Sequence, residues 1–374
     1  MIYLDHCATT PISATVKDAM EPYLQKQFGN ASTLYQLGRE AKTILEESRV
    51  VIASALGAEP EEIFFISGGT EGDNWVIKSA CNHNKIHLIT TAIEHSAILS
   101  SCKFMEEHGA EVTYLDVDHY GRVDPQDVLY AITPQTALVS VMAINNETGT
   151  IQPITEIAEI CARFKVPFHT DAVQAIGNIP IHVKKQKISY LTLSGHKLYG
   201  PKGIGVLYMD KRHLLPPLIH GGGQESKLRS GTENIPAIVG MSTAVSEITQ
   251  KINKRIEHFK KLREALLFGL NDVSFKENGC PFACAPHIMS LTFPGVEAEA
   301  LLHLLDLKGV CVSTGSACHG GEEQPSHVLL AMGILEASAK STIRISFGDA
   351  NSMADIEKTI KVLKYGLAKI HRQQ

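Results

Sequence analysis

Short apolar strands alternate with helical stretches through most of the first 250 residues. Segments such as "EIFFIS", "KIHLITT", "ALVSVMAI" and "ISYLTLS" have the length and β-rich composition of buried strands, and helical stretches such as "ITEIAEICARF" separate them. This alternation predicts an α/β fold with a mainly parallel sheet and helices on both of its faces. Ligands of such sheets bind beyond the carboxyl ends of the strands, so candidate functional residues are sought there.

The length of the chain favours two domains. With 374 residues it exceeds what a single hydrophobic core usually supports. A long helical segment over residues 235–270 follows the alternating region, and the rest mixes strands such as "HIMSLTF" and "TIRISF" with helices. We therefore expect a large ligand-binding domain over residues 14–255 and a smaller α+β domain made of residues 1–13 and 256–374.

Charge and composition argue against several partners. The net charge of −5 makes direct binding to nucleic acid or to an anionic membrane unexpected. No apolar run approaches the roughly 20 residues that span a bilayer. The N-terminal sequence "MIYLDHCATTPIS" does not resemble a signal peptide, so a cytoplasmic protein with reduced thiols is expected. The cysteine pair in "CPFAC" lacks a second pair, and no metal site is predicted.

Chemically distinctive residues follow the predicted strands. The glycines and Thr70 of "GGTEGDN" offer backbone N–H groups and a hydroxyl to an anion. His95 in "EHSA" and Asp171 in "HTDAVQ" follow two other strands, although a packed histidine and a helix-capping aspartate are common structural explanations. Lys197 in "SGHK" is harder to explain, because an ammonium directly after a buried strand has to be solvated, paired or reactive.

Three later segments carry further candidates. "RSGTEN" contains Thr232 in a glycine-rich loop, and "STGSACHGG" places Cys318 among small residues, where an accessible thiol is either inert or reactive. Arg344 lies inside the strand "STIRISFG", so its guanidinium needs an anionic partner.

The strand-end residues together fit one type of ligand. A phosphate cradle, an aspartate, a histidine and a lysine at neighbouring strand ends describe pyridoxal 5'-phosphate bound as a Schiff base.

The motifs extend over the whole chain. In chain order they are "YLDHCATTP", "SGGTEGDN", "EHSAIL", "NNETGTIQPI", "FHTDAVQAIG", "SGHKLYGPKGIGVLY", "RSGTEN", "STGSACHGG" and "IRISFG". This ordered set resembles the cysteine desulfurases, the class V branch of the fold-type-I pyridoxal-phosphate enzymes. The resemblance implies an enzyme that converts L-cysteine to L-alanine and transfers the sulfur to one of its own cysteines as a persulfide, for delivery to acceptor proteins.

The resemblance also implies a role for each candidate residue. Lys197, Cys318 and His95 would be catalytic: Lys197 would bind the cofactor, Cys318 would attack the substrate sulfur, and His95 would stack on the cofactor ring. Asp171 would contact the ring nitrogen of the cofactor and Gln174 its ring oxygen. The phosphate would be bound by Thr70, Ser194 and His196, and by Thr232 of the partner subunit in a homodimer. The substrate carboxylate would be bound by Asn146 and Arg344.

Three positions depart from the family pattern. His6 stands where asparagine is usual, Tyr35 where histidine is frequent, and Asp349 where many members carry arginine. Two alternatives stay open: a selenocysteine lyase, which shares these motifs, and a non-catalytic scaffold that binds a sulfur-accepting partner. A generic aminotransferase has no use for the Cys318 loop. The pathway that receives the sulfur is not readable from the sequence.

Overall fold

The computed structural model describes residues 1–82, 84–314 and 325–372. The strands are β1 (Ile2–Tyr3), β2 (Ile63–Ile66), β3 (His87–Thr91), β4 (Glu111–Leu115), β5 (Thr136–Ser140), β6 (Phe168–Asp171), β7 (Tyr190–Ser194), β8 (Gly205–Met209), β9 (Lys276–Asn278), β10 (Ile288–Thr292), β11 (Val310–Cys311), β12 (Ser313–Thr314) and β13 (Thr342–Ser346). The helices are α1 (Ala14–Gln25), α2 (Gln36–Leu56), α3 (Gly69–Ala80), α4 (Ser96–Glu107), α5 (Pro125–Ala131), α6 (Ile154–Phe164), α7 (Ile235–Gln250), α8 (Ile252–Gly269), α9 (Ala298–Leu307), α10 (His327–Ala331), α11 (Glu336–Ala339) and α12 (Met353–His371).

A seven-stranded sheet forms the centre of the fold. Its strand order is β2-β8-β7-β6-β5-β3-β4. Strands β7, β6, β5, β3 and β4 are parallel, whereas β8 is antiparallel to both of its neighbours. Strand β2 therefore runs in the same direction as β7, and the carboxyl ends of all strands except β8 meet at one edge. The expected α/β fold with a mainly parallel sheet is confirmed.

Alternate residues of the central strands face two different hydrophobic cores. Leu191 of β7 and Val206 of β8 pack in a cluster with residues of α2, α6 and α7. Their neighbours Tyr190 and Leu207 point to the opposite face, where they pack with α3 and α4. Side chains along a strand alternate between faces, so helices cover both sides of the sheet and only its edges remain open to a ligand.

The C-terminal part of the chain builds a second sheet and a separate core. This four-stranded sheet has the order β12-β13-β10-β9 and is antiparallel. Its cluster includes residues of α8, α9 and α12. The first residues of the chain lie here as well, because β1 pairs in parallel with β11. The grouping of residues 1–13 with the C-terminal part stays a prediction, as does the partition into two domains.

The helical segment over 235–270 is two helices rather than the expected single one. Helix α7 ends at Gln250, and α8 begins at Ile252 after Lys251. Lys251 has φ −104° and ψ 3°, which departs from helical geometry and turns the chain between the two helices. Among the described residues, no helix is both long and apolar enough to cross a membrane.

Candidate active site

A cavity of about 210 Å³ lies at the edge where the parallel strands end. Asp171 is the last residue of β6, Ser194 is the last residue of β7, and Thr70 lies in the first turn of α3 after β2. The cavity is lined by Cys7, Gly69, Thr70, Asp73, His95, Met142, Ile144, Asn146, Asp171, Val173, Gln174, Ser194, His196 and Lys197. The topology therefore brings eight predicted site residues to one place, namely Thr70, His95, Asn146, Asp171, Gln174, Ser194, His196 and Lys197.

Lys197 is held at the cavity by the N-terminal segment. It closes a 3-10 turn, Gly195–Lys197, directly after β7. Its Nζ donates hydrogen bonds to the backbone oxygen of Cys7 and, at 2.7 Å, to that of Ala8. Gln174 Nε2 donates to the same Cys7 oxygen at 3.1 Å. The N-terminal segment thus forms one wall of the site, a role that the sequence did not indicate for Cys7.

Asp171 is a buried carboxyl at the base of the cavity. Its side chain accepts a hydrogen bond from the Val173 N–H at 2.9 Å, so it also caps the turn that follows β6. Burial raises the pKa of Asp171, while His95 and Lys197 oppose that rise. A cation placed against this carboxyl would favour its ionised form.

His95 caps α4, and this contact fixes its tautomer. Its Nδ1 accepts a hydrogen bond from the Ala97 N–H at 3.1 Å. A neutral ring whose Nδ1 accepts carries its proton on Nε2. The ring at the cavity wall is therefore oriented by the backbone of α4.

Hydroxyl and N–H donors form an anion subsite beside Lys197. Thr70 and Ser194 supply hydroxyls, and the free backbone N–H groups at the start of α3 lie at the same wall. His196 is neutral, because burial, Lys197 and Lys202 lower its pKa to about 4. The donor set of a phosphate cradle, an amine and a buried carboxyl fits the expected cofactor.

Arg344 lies behind Asn146 rather than among the cavity-lining residues. Its guanidinium is 2% exposed and donates to Asp5 Oδ1 at 2.8 Å and to the Asn146 backbone oxygen at 3.1 Å. Its Nε has no hydrogen-bond partner in the described part of the chain. Asp5 is a second residue that the sequence did not single out, although it lies in the quoted motif "YLDHCATTP".

Glu147 links this region to the segment that follows residue 324. The Ser326 hydroxyl donates to Glu147 Oε2 at 2.5 Å. Burial raises the pKa of Glu147 to about 7, although Ser326 and Arg344 oppose the rise. Glu147 follows Asn146 directly, so it joins the candidate substrate site to the start of α10.

The predicted phosphate ligand Thr232 lies away from this cavity. Thr232 is exposed and does not line the cavity of its own chain. Its loop is fixed to α3 by Arg229, whose Nε and Nη2 lie 2.8 and 3.1 Å from the two carboxylate oxygens of Glu71. Cys318 lies outside the described residues.

The three unusual positions have distinct surroundings. Asp349 forms an ion pair with Arg255. His6 is buried, with Nδ1 3.2 Å from the Ser346 backbone oxygen. Tyr35 is 60% exposed at the start of α2 and is not among the residues that line the cavity.

Comparison with known proteins places this site in a family. The sequence model of the family "Aminotransferase class-V" matches residues 2–359. The chain is 46% identical over 366 residues to a cysteine desulfurase IscS of Methanosarcina thermophila, covering 97% of this chain and 91% of that protein. It is also 46% identical to the putative cysteine desulfurase IscS 1 of Bacillus subtilis, covering 96% of this chain and 97% of that protein.

Solved structures agree with the sequence relatives. A NifS-like protein superposes with a TM-score of 0.94 at 36% identity, covering 98% of this chain and 99% of the other. A structure described as SspA in complex with cysteine has a TM-score of 0.82 at 38% identity, covering 93% and 99%. The chain belongs to the class V aminotransferase family, and its expected similarity to cysteine desulfurases within that family is confirmed.

Proposed function

We propose that the protein is a pyridoxal-phosphate-dependent cysteine desulfurase that converts L-cysteine to L-alanine and receives the sulfur on Cys318. The observation that carries this proposal is the convergence of Lys197, Asp171 and His95 on one cavity at the carboxyl edge of the sheet. These three residues have the chemistry to bind an aldehyde, to hold a protonated pyridine nitrogen, and to donate a hydrogen bond from a neutral imidazole. The full-length similarity to cysteine desulfurases supports the same reaction.

The cofactor, when bound, supplies an electron sink that lets bonds of the attached amino acid break. Lys197 Nζ would hold it covalently, and Asp171 would keep a proton on its ring nitrogen. Thr70, Ser194 and neutral His196 would bind its phosphate together with the N–H groups at the start of α3.

His95 would act on the substrate side of the ring. Because Nδ1 accepts from Ala97, the neutral ring has its N–H on Nε2 and can donate a hydrogen bond from that atom. Met142 and Ile144 line the same cavity with apolar side chains and limit the access of water.

Arg344 and Asn146 would bind the carboxylate of the substrate. The Arg344 guanidinium already has Asp5 as a partner, which keeps this buried cation compensated in the absence of substrate. A substrate carboxylate at the Asn146 side would add a second anionic partner to the same guanidinium.

Assay of the purified holoenzyme with L-cysteine tests the function. We expect equal amounts of alanine and transferable sulfur, the sulfur appearing as sulfide when a thiol reductant is present. Transamination of L-alanine with a 2-oxo acid, with no release of sulfur from cysteine, would overturn the proposal. Turnover of L-selenocysteine alone would support the lyase instead, and failure to bind the cofactor would support the scaffold.

The active unit would be a homodimer in which Thr232 completes the phosphate site of the partner subunit. Thr232 is exposed on a loop that Arg229 and Glu71 hold in place, and the chain also exposes large apolar side chains such as Phe28 (70%) and Leu34 (90%), as a surface that pairs with a second copy would. Mixing Lys197→Ala chains with Thr232→Ala chains tests this arrangement. Recovery of activity in the mixed dimer is expected, because one of its two sites has both wild-type residues. A fully active monomer would exclude the shared site.

The sulfur acceptor would be another protein, and the site of action would be the cytoplasm.

A further inference from the structure

A second buried carboxyl, that of Asp73, lies next to Asp171 and has no assigned role. Asp73 is 1% exposed and lines the same cavity. It follows Thr70 by three residues on α3, so the two side chains are neighbours on the same side of the helix, and both line the cavity. The sequence therefore carried a signal for it in "GGTEGDN", where only Thr70 was singled out.

The sheet presents a polar patch to Asp73. Asp171 and Thr192 are opposite each other on the neighbouring strands β6 and β7, and His169 precedes Asp171 by two residues. All three side chains therefore project from the same face of the sheet. Helix α3 approaches this face closely, because a Cβ on Gly72 would come within 2.8 Å of the Thr192 side chain. The next residue, Asp73, is thereby brought onto the patch.

Both ring nitrogens of the histidine in this patch already have hydroxyl hydrogen-bond partners. His169 is fully buried, with Nδ1 2.8 Å from Ser140 Oγ and Nε2 3.0 Å from Thr192 Oγ1. Burial lowers the pKa of His169 to about 3, so the ring is neutral. Asp73 Oδ1 lies 3.7 Å from His169 Nε2 and makes no hydrogen bond within the described residues.

No cation compensates a charge on Asp73 within the described part of the chain. Its ionisable neighbours are neutral His169 and the two carboxyls Asp171 and Glu94. Burial raises the pKa of Asp73 well above its ordinary value, and the charges of Asp171 and Glu94 act in the same direction, against a hydrogen bond from Thr192. Two adjacent buried carboxyls do not both ionise without a cation, and Lys197 acts on Asp171.

We propose that Asp73 is a positioning residue for the cofactor. As a neutral carboxylic acid it forms, with Thr192 and His169, the polar floor beneath Asp171, and it leaves Asp171 as the single anion that faces the pyridine nitrogen. This inference rests on the proposed function for the identity of the cofactor ring, and it concerns the protonation state of the Asp73 side chain.

Infrared spectroscopy of the apoprotein at neutral pH reads that state directly. We expect the difference spectrum between the wild type and Asp73→Asn to contain the C=O band of a protonated carboxyl. A difference spectrum with carboxylate bands alone would overturn the proposal. This measurement needs neither cofactor nor turnover, so it stays decisive if the wild type fails to act on L-cysteine, a result that would overturn the proposed function alone.

A second experiment compares Asp73→Asn with Asp171→Asn in protein reconstituted with ¹⁵N-labelled pyridoxal phosphate. We expect the ring nitrogen to keep the chemical shift of a protonated pyridine in Asp73→Asn, because an amide replaces a neutral acid, and to lose it in Asp171→Asn. Loss of the signal in both variants would overturn the proposal.

Asp73→Leu removes the polar group, and we expect its dissociation constant for the cofactor to rise by about tenfold or more, since a buried partner is left unsatisfied. Wild-type affinity in Asp73→Leu would show that Asp73 positions nothing.

Discussion

Arg255 of α8 is paired with Asp349, which follows β13, and the same guanidinium reaches back to the central sheet. Its Nε donates to the Gly177 backbone oxygen at 3.1 Å, and its Nη2 lies 3.4 Å from Asn178 Oδ1. The Asp349 N–H in turn donates to the Tyr199 hydroxyl at 2.7 Å. The unusual aspartate at position 349 therefore belongs to a contact that connects the C-terminal core to the segments after β6 and β7. Arginine at this position would bring two guanidinium groups together.

Arg255 is expected to contribute more to stability than Asp349. It is 7% exposed and has backbone and side-chain partners, so Arg255→Met leaves two buried acceptors, the Gly177 oxygen and Asn178 Oδ1, without this donor and should lower the free energy of unfolding by about 3 kcal/mol. The Asp349 side chain is 42% exposed, so Asp349→Asn should cost about 0.5 to 1 kcal/mol. Urea unfolding of both holoenzyme variants gives the comparison. Equal losses would show that the ion pair alone accounts for the effect of Arg255.

Lys197→Ala should abolish covalent attachment of the cofactor and the release of sulfur. Lys197 lies at the cavity in the turn after β7, whereas Lys202 lies beyond a proline and is not among the cavity-lining residues. Borohydride reduction followed by mass spectrometry of the holoenzyme measures the linkage, with Lys202→Ala as the matched control that keeps it. A reduced adduct on another lysine of Lys197→Ala would show that the wrong lysine has been assigned.

Cys318→Ser should stop sulfur release from L-cysteine and leave the cofactor spectrum unchanged. The reason is chemical: a thiolate attacks sulfur, and a serine hydroxyl does not replace it. Cys311→Ser is the control, because Cys311 lies in β11, away from the cavity, with its Sγ 4.0 Å from Asp306 Oδ1. Normal turnover by Cys318→Ser combined with loss in Cys311→Ser would move the nucleophile to Cys311. Cleavage of selenocysteine but not of cysteine by Cys318→Ser would support the lyase.

Glu147 should make the stability of the protein depend on pH. Its pKa is about 7 in the folded state and near 4.5 ordinarily, so the folded state binds the proton more tightly. This contribution is fully present below pH 4.5 and is lost as the pH rises through 7, and it amounts to about 3 kcal/mol. Glu147→Gln should remove this contribution to the dependence of the unfolding free energy on pH. Urea unfolding at pH 5, 6, 7 and 8 measures it, and parallel curves for the two proteins would contradict the assignment.

The sequence predicted most of the sheet and the residues at its strand ends, because both follow from local patterns. The alternation of strands and helices predicts a parallel sheet, and the strand ends before Thr70 and Lys197 indicate the edge of the sheet where the cavity lies. Contacts between distant segments left no local signal. The hydrogen bonds from Lys197 to Cys7 and Ala8 join residues 190 and 189 positions apart, and Asp73 acquires its neighbours only when α3 packs on β6 and β7. The break at Lys251 was also missed, since the apolar pattern continues through it.

The pairing of β1 with β11 has a consequence for biosynthesis. Ile2 and Tyr3 are synthesised about 300 residues before their partners Val310 and Cys311. At the usual elongation rates of roughly 5 to 20 residues per second, the nascent N-terminal segment waits roughly 15 to 60 s for this strand. The carbonyl groups that hold Lys197 belong to that waiting segment. Lys197 is therefore synthesised before β11, the strand that pairs with the start of its N-terminal wall.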